Sequence, residues 1–422
     1  MIGSKASPRV LLIGTADTKA DELLFMRRCI EGGGGSVLVM DVGILGQTPF
    51  KPEIANVEVA AAAGVNLQEL AALGDENQAM LQMAQGATRL VASLHEQGRI
   101  DGVLALGGTM GTDLALDAVA ALPIGVPKVV VSTIAYSHLV PPQRIPADLI
   151  MMLWSGGLYG LNSLCRSSLA QAAGAILGAC LHAQPPRFDR PLVGITSLGS
   201  SVLSYMKRLK PALEARGYEV AVFHTTGMGG RSFEELAEQG RFAAVFDFSL
   251  QELANHLGGS CVTAGASRLT GAGRAGVPQI VAPGATDMVD YPAWSVPSAR
   301  FESRPSHAHN RLIASSMGDA ALREEVAREI ATRLHDARAA TCLLLPHAGI
   351  EEWDRAGQPL HDPDGLAAFM AVARAETKAP TEVIELDAHI NDCAFSDAAL
   401  AVFDRWVAAG IVVAGVCAPL QP

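Results

Sequence analysis

An α/β protein made of two Rossmann-like, doubly wound units with mainly parallel sheets is the fold class that this 422-residue sequence predicts. Three observations predict it. Short apolar runs with strand character alternate with helix-periodic segments along nearly the whole chain, the pattern of parallel βα units. Aromatic residues make up only 5% while glycine reaches 42 residues, which favours close helix-on-sheet packing over an aromatic-rich sandwich. Length exceeds the ~250–300 residues at which one hydrophobic core stops growing, so two cores are expected.

In chain order, the strand Val10 to Ile13 enters the loop Gly14-Thr15-Ala16-Asp17-Thr18-Lys19. A helix from Ala20 to Glu31 follows, with Leu23, Leu24, Met26, Arg27 and Ile30 on one stripe. Gly32 to Gly35 stops that helix and precedes the strand Val37 to Asp41. A long loop, a helix from Leu67 to Leu73 and a longer one from about Glu76 to Gln97 come next. The strand Val103 to Leu106 runs into Gly107-Gly108-Thr109-Met110-Gly111-Thr112, with a helix predicted from Asp113 to Ala121, then the strand Lys128 to Ser132. A closing helix spans Asn162 to Ala183. Three prolines in Gln184 to Pro191 mark the boundary between an N-terminal unit, 1–185, and a C-terminal unit, 190–422. Strands in the second unit are predicted at Leu192 to Ile195, Glu219 to Phe223, Ala244 to Asp247, Gln279 to Ala282, Thr341 to Leu345 and Thr381 to Leu386. The clearest helix there is Asp319 to Asp336, where Leu322, Val326, Ile330 and Leu334 recur at four-residue spacing.

Net charge is −11, and no long Lys/Arg run is present, which argues against nucleic acid as the partner. No continuous apolar stretch reaches the ~18 residues that span a bilayer, and no apolar segment precedes Val10, so a cytoplasmic protein without a membrane partner is expected. The seven cysteines (Cys29, Cys165, Cys180, Cys261, Cys342, Cys393, Cys417) stand singly, without a C-x-x-C pair, and are expected to be mostly buried reduced thiols.

Ligands of open parallel sheets sit at the carboxyl ends of the strands. Loops after Ile13, Asp41, Leu106 and Val131 fall at that end, whereas Gly32 to Gly35 falls at the other. In the first loop Gly14, Thr15, Asp17, Thr18 and Lys19, and in the third Gly107, Gly108, Thr109, Gly111 and Thr112, offer amides, hydroxyls and one ammonium to an anion at a helix N-terminus. Simple helix capping by Asp17 or Thr18 is the competing reading. Neither loop has P-loop or G-x-G-x-x-G spacing. Ser132 and Thr133 would add hydroxyls, and Asp41 occupies the position from which such folds bond ribose. In the second half, His224 with Gly227, Gly229 and Gly230 forms a candidate ligand loop, joined by Asn310. Asp287, His309, His389 and Asp392 are candidate catalytic groups, with loop-fixing hydrogen bonds as the alternative. No His pair has i, i+4 ligand spacing, so no metal site is assigned.

Read together and in order, these loops resemble the ATP-binding domain family named after the tomato mosaic virus resistance protein, whose members are mostly uncharacterised bacterial proteins. Leu122 to Lys128, Val131-Ser132-Thr133, Gly284 to Tyr291 and His389-Ile390-Asn391-Asp392 add to the resemblance, which covers nearly the whole chain. It implies two Rossmann-like subdomains, ATP binding, and a homodimer; in the plant member the domain inhibits by binding a viral replication protein. The chain departs from the family pattern at Gly157, where the family is acidic. It departs again over Ser197 to Val202 and at Ser315-Ser316-Met317, while both anion-type loops stay intact.

The expected function is ATP binding by the first unit, with Mg²⁺ as an optional companion. If the chain is an enzyme, Asp287, His309, His389 and Asp392 would meet the γ-phosphate and an unknown second ligand in a cleft between units, as in an ATP-dependent transferase or ligase acting on a small acid. The alternatives are a non-catalytic regulatory or interaction module stabilised by ATP, and a small-carboxylate binder.

Overall fold

The computed structural model describes residues 7–199 and 201–416. Ser200 within the divergent stretch, Cys417, and the end of the Gly410 to Pro422 segment lie outside the described residues. The chain divides into two compact units, Met1–Arg187 and Phe188–Pro422, the division falling inside the proline-rich stretch.

Unit 1 contains β1 (Arg9–Gly14), α1 (Ala20–Gly32), β2 (Ser36–Asp41), α2 (Asn56–Ala63), α3 (Leu67–Ala72), α4 (Glu76–Glu96), β3 (Gly102–Gly107), α5 (Thr109–Ala120), β4 (Lys128–Ser132), β5 (Ile150–Leu153) and α6 (Ser163–His182). Its five strands are parallel, in the order β2-β1-β3-β4-β5. Successive side chains of a strand point to opposite faces. Leu11, Ile13, Val103 and Ala105 therefore pack under α2, α4 and α5, while Val10, Leu12, Leu104 and Leu106 pack under α1 and α6. Both faces are covered, as parallel sheets require. The order reverses between β1 and β3, which makes the gap beyond their carboxyl ends the topological switch point.

Unit 2 contains β6 (Leu192–Ser197), α7 (Met206–Ala215), β7 (Glu219–His224), α8 (Met228–Glu238), β8 (Ala244–Asp247), α9 (Gln251–Leu257), α10 (Gly271–Ala275), β9 (Gln279–Val281), β10 (Met288–Pro292), β11 (Ser306–Ala308), β12 (Ile313–Met317), α11 (Ala320–His335), β13 (Thr341–Pro346), α12 (Pro363–Glu376), β14 (Glu382–Leu386) and α13 (Cys393–Ala408). Six strands form a parallel sheet in the order β14-β13-β9-β8-β6-β7, so the switch point lies between β6 and β8. A separate antiparallel sheet, β10-β12-β11, stands beyond β9. Residues 411–416 stay with this unit: the Tyr218 hydroxyl donates to the Val413 carbonyl, and the Val416 amide to Gly217.

Several predicted elements shift. The helix expected from Asp113 begins at Thr109, because Gly108 ends the strand connection in extended backbone and caps the helix. The long loop after β2 contains α2, an Ala-rich segment with no polar stripe to reveal it. β5 was missed because it is a half-exposed edge. α6 is 20 residues long and apolar enough by length and composition to cross a membrane, although Arg166, Gln171 and its serines interrupt the apolar run. Its Leu169, Ala172, Ile176 and Leu177 pack on the sheet of unit 1.

Candidate functional site

The loops after β1 and β3 meet at the switch point of unit 1 and bound a cavity of about 620 Å³. Thr15, Asp17, Thr18 and Lys19 form one side, and Gly107 to Gly111 the other; Ile44, Leu45, Met80 and Tyr159 give an apolar wall, with Glu76 also at the lining. The loop after β1 is a tight turn, the Thr18 and Lys19 amides both donating to the Thr15 carbonyl. The Thr15 and Thr18 hydroxyls lie 2.8 Å apart. Lys19 Nζ donates to the Leu158 carbonyl at 2.7 Å and sits 4.9 Å from the Tyr159 ring centre, leaving further N–H groups for an anion.

Opposite, α5 starts without a side-chain cap. Among the described residues none accepts from the amides of Gly108, Thr109, Met110 or Gly111, the orphan donors of a helix N-terminus. Gly107 allows the chain to turn this closely, since a Cβ there would lie 2.3 Å from the Gly111 carbonyl carbon. A Cβ on Gly108 would meet only Thr133 Oγ1, at 3.9 Å.

Other predicted residues hold this loop framework in place. Asp41 is buried, its Oδ1 accepting from the Ala16 and Gly43 amides at 2.9 and 2.8 Å; it ties the β1 and β2 loops together and does not line the cavity. Burial pushes its pKa above the ordinary carboxylate value. Asp17 accepts from the Leu45 and Gly46 amides through Oδ2, while its buried Oδ1 has no partner. Thr112 and Ser132 are buried, bond each other at 2.7 Å and do not line this cavity. Thr133 donates its amide to the Gly107 carbonyl. Gly14 is a packing position against Leu23.

In unit 2 the glycine loop after β7 is already filled. The Glu252 carboxylate, from α9, accepts from the Gly227 and Gly230 amides at 2.6 and 3.1 Å and so occupies the N-terminus of α8. Gly230 is required there: a Cβ would fall 1.6 Å from Glu252 Oε2. Gly229 likewise abuts the His224 carbonyl. Burial raises Glu252 to about 7, opposed by Arg268 and the two amides. Arg268, fully buried, also pairs with Glu234 and Asp247. The expected ligand loop of unit 2 thus carries a ligand supplied by the chain itself, a feature invisible in sequence because Glu252 is an ordinary helical glutamate until folded.

The four candidate catalytic residues are not brought together. His309 lines a second cavity, with His224 and Asn310, and Asp287, His389 and Asp392 do not line it. His389 is buried with both ring nitrogens engaged, Nε2 donating to the Glu351 carbonyl and Nδ1 accepting from the Asn391 amide. Asp392 accepts from the His389 amide and from Arg355. Asp287 is buried with both oxygens unpartnered, beside Asp354 and Arg323. Burial pushes it up to about 7. Sequence reading missed Ile44, Leu45, Glu76, Met80 and Tyr159 around the first cavity; Tyr159 alone had a signal, adjoining Gly160-Leu161-Asn162.

Two parallel sheets, of order 2-1-3-4-5 in unit 1 and 2-1-3-4-5-6 in unit 2, each with ligand-type loops at its switch point, define a two-unit Rossmann-like α/β protein. The chain belongs to the uncharacterised protein family UPF0261, whose N-terminal domain matches residues 8–185 and C-terminal domain residues 190–407. A UPF0261 protein of Brucella melitensis is 55% identical over 409 residues, covering 97% of this chain and 98% of its own. One from Clostridium tetani is 33% identical, covering 92% and 96%. The ToMV resistance protein Tm-1 of Solanum lycopersicum is 28% identical over 93% of this chain, which spans 55% of the tomato protein.

Proposed function

We propose that unit 1 binds a nucleotide, ATP in the first instance. The observation that carries this reading is the 620 Å³ cavity in which unpaired amides of an uncapped helix face a Thr/Lys turn across the switch point. That donor set suits phosphate oxygens. The apolar wall of Ile44, Leu45 and Met80 suits a base, and the volume lies within the ~300–1,000 Å³ range of small-ligand sites. Asp17 Oδ1, buried and unpartnered, is the atom available to a ribose hydroxyl or a Mg²⁺-bound water. Lys19 would balance charge. Transfer of the phosphoryl or adenylyl group to a small acid, and the alternative role as an ATP-stabilised interaction module, share this binding step.

Thermal unfolding with ATP, ADP, AMP or no nucleotide, with and without Mg²⁺, tests the reading. A ligand at ~100 times its Kd adds roughly 2.7 kcal/mol to the state it binds, a shift of a few degrees. ATP is expected to raise the melting temperature, and Lys19→Ala to shrink that rise. No rise with any nucleotide in folded protein would refute it.

A further inference from the structure

The second cavity, of about 280 Å³, lies where β6, β7 and α9 meet at the switch point of unit 2, under β11, β12 and Trp353. Its polar groups are oriented by a buried hydrogen-bond chain. Asp290 accepts from Gln251 Nε2 at 2.7 Å, from Asn255 Nδ2 at 3.0 Å and from the Ser315 hydroxyl. Because Ser315 gives its only proton to that carboxylate, its Oγ must accept from His309 Nε2, 2.8 Å away. Neutral His309 therefore carries its proton on Nε2 and keeps Nδ1 as a lone pair. Burial, with His307 adding to it, lowers His309 to about 4, so the ring is neutral at physiological pH. The groups around it are Asp290, His307 and His224.

Two more polarities are fixed. Gln251 lines the cavity, is fully buried, and gives its NH₂ to Asp290, which leaves Oε1 without a partner. Leaving a buried carbonyl unpaired is costly, so a ligand donor there is favoured. His224 Nδ1 accepts from the Gly199 amide at 3.3 Å, so its neutral ring carries the proton on Nε2. The cavity lining thus includes Gln251 Oε1 and His309 Nδ1 as acceptors and His224 Nε2 as a donor, with the Asn310 side-chain amide, whose Oδ1 is taken by the Leu312 and Ile313 amides, as a further donor group. His307, His309 and Trp353 form a ring cluster, with centroids 4.2 to 4.9 Å apart. Among the described residues no lysine or arginine lines the cavity, and the one carboxylate that does, Asp290, disfavours anions.

We propose that this cavity binds a small uncharged polyhydroxylated molecule, sugar- or polyol-like, whose hydroxyls donate to Gln251 Oε1 and His309 Nδ1 and accept from His224 Nε2. Hydroxyl groups both donate and accept, which matches this mixed set, and the C–H face of such a molecule suits the Trp353 and histidine rings. The site is independent of the nucleotide reading of unit 1.

Ring-¹⁵N histidine NMR on the full chain tests this, with D-ribose, D-glucose and glycerol in one series and phosphate and malate in another. The His309 ring is expected to show the neutral Nε2–H form at pH 7. At least one neutral compound is expected to move the His224 and His309 signals, and His224→Ala, an exposed change, to weaken it about tenfold. Signals moved by phosphate or malate and not by the neutral compounds would overturn the proposal. So would an Nδ1–H form of His309, or no response to any neutral compound up to ~100 mM, where even affinities far weaker than millimolar would register.

Discussion

Gly108 occupies a position where two ordinary preferences of helices diverge. Asp is among the best N-cap residues and Gly is only a few tenths of a kcal/mol worse, so Gly108→Asp supplies α5 with the cap it lacks. Space is available for the added side chain. The same carboxylate would take the amides that the proposed phosphate needs. Gly108→Asp is therefore expected to leave the nucleotide-free melting temperature equal or slightly higher while abolishing the rise with ATP. A variant that melts higher and still responds fully to ATP would place the phosphates elsewhere. Lys19→Ala acts differently, removing a charge and the tether to Leu158 together, so the Gly108 variant is the cleaner probe of the amide cradle.

The start of α8 is held by Glu252, which is in turn held by Arg268, so this element depends on a salt bridge of four buried side chains. Removing one partner of such a group leaves uncompensated buried charge, and Arg268→Met is expected to cost unit 2 at least about 3–5 kcal/mol in urea unfolding followed by tryptophan fluorescence. A loss below about 1 kcal/mol would show that the three carboxylates take up protons without strain. Elements were legible in sequence where an apolar run meets glycine, as at Ile13 and Leu106, since both the strand period and its end are written locally. α11 was legible for the same kind of reason: Leu322, Val326, Ile330 and Leu334 are all buried. Illegible were elements whose identity depends on distant partners. β11 and β12 are short and rich in Ser and His, and become strands only by pairing with each other and with β10. The cavity of His309 was half legible, because His224 ends a strand before a polar loop and His309 and Asn310 stand in another, but Asp290, Ser315 and Gln251 join them only through the fold.

At the scale of the molecule, stability should depend on pH through carboxyls that folding removes from water. Burial raises Asp287 to about 7 and Glu351 to about 9, Asp287 adding to the rise of Glu351. Below about pH 3 both are protonated in folded and unfolded chains alike. As pH rises the unfolded chain ionises first, so stability declines through the folded values, by about 1.4 kcal/mol per pH unit for each group while it is protonated only in the folded chain. The melting temperature is expected to fall from pH 5 to 9, and Asp287→Asn to flatten the fall; an unchanged slope in the variant would assign it to other groups. The two units share the strand order 2-1-3-4-5, extended by a sixth strand in unit 2, but differ in what sits at the start of the helix after a glycine loop. In unit 2 the carboxylate of Glu252 is tethered, so its local concentration is fixed by the chain and no dilution or competing salt sets its occupancy. In unit 1 the amides at the start of α5 have no acceptor among the described residues, so on the proposed reading the free ligand would set their occupancy. On that reading mass action would govern one half of the protein and not the other.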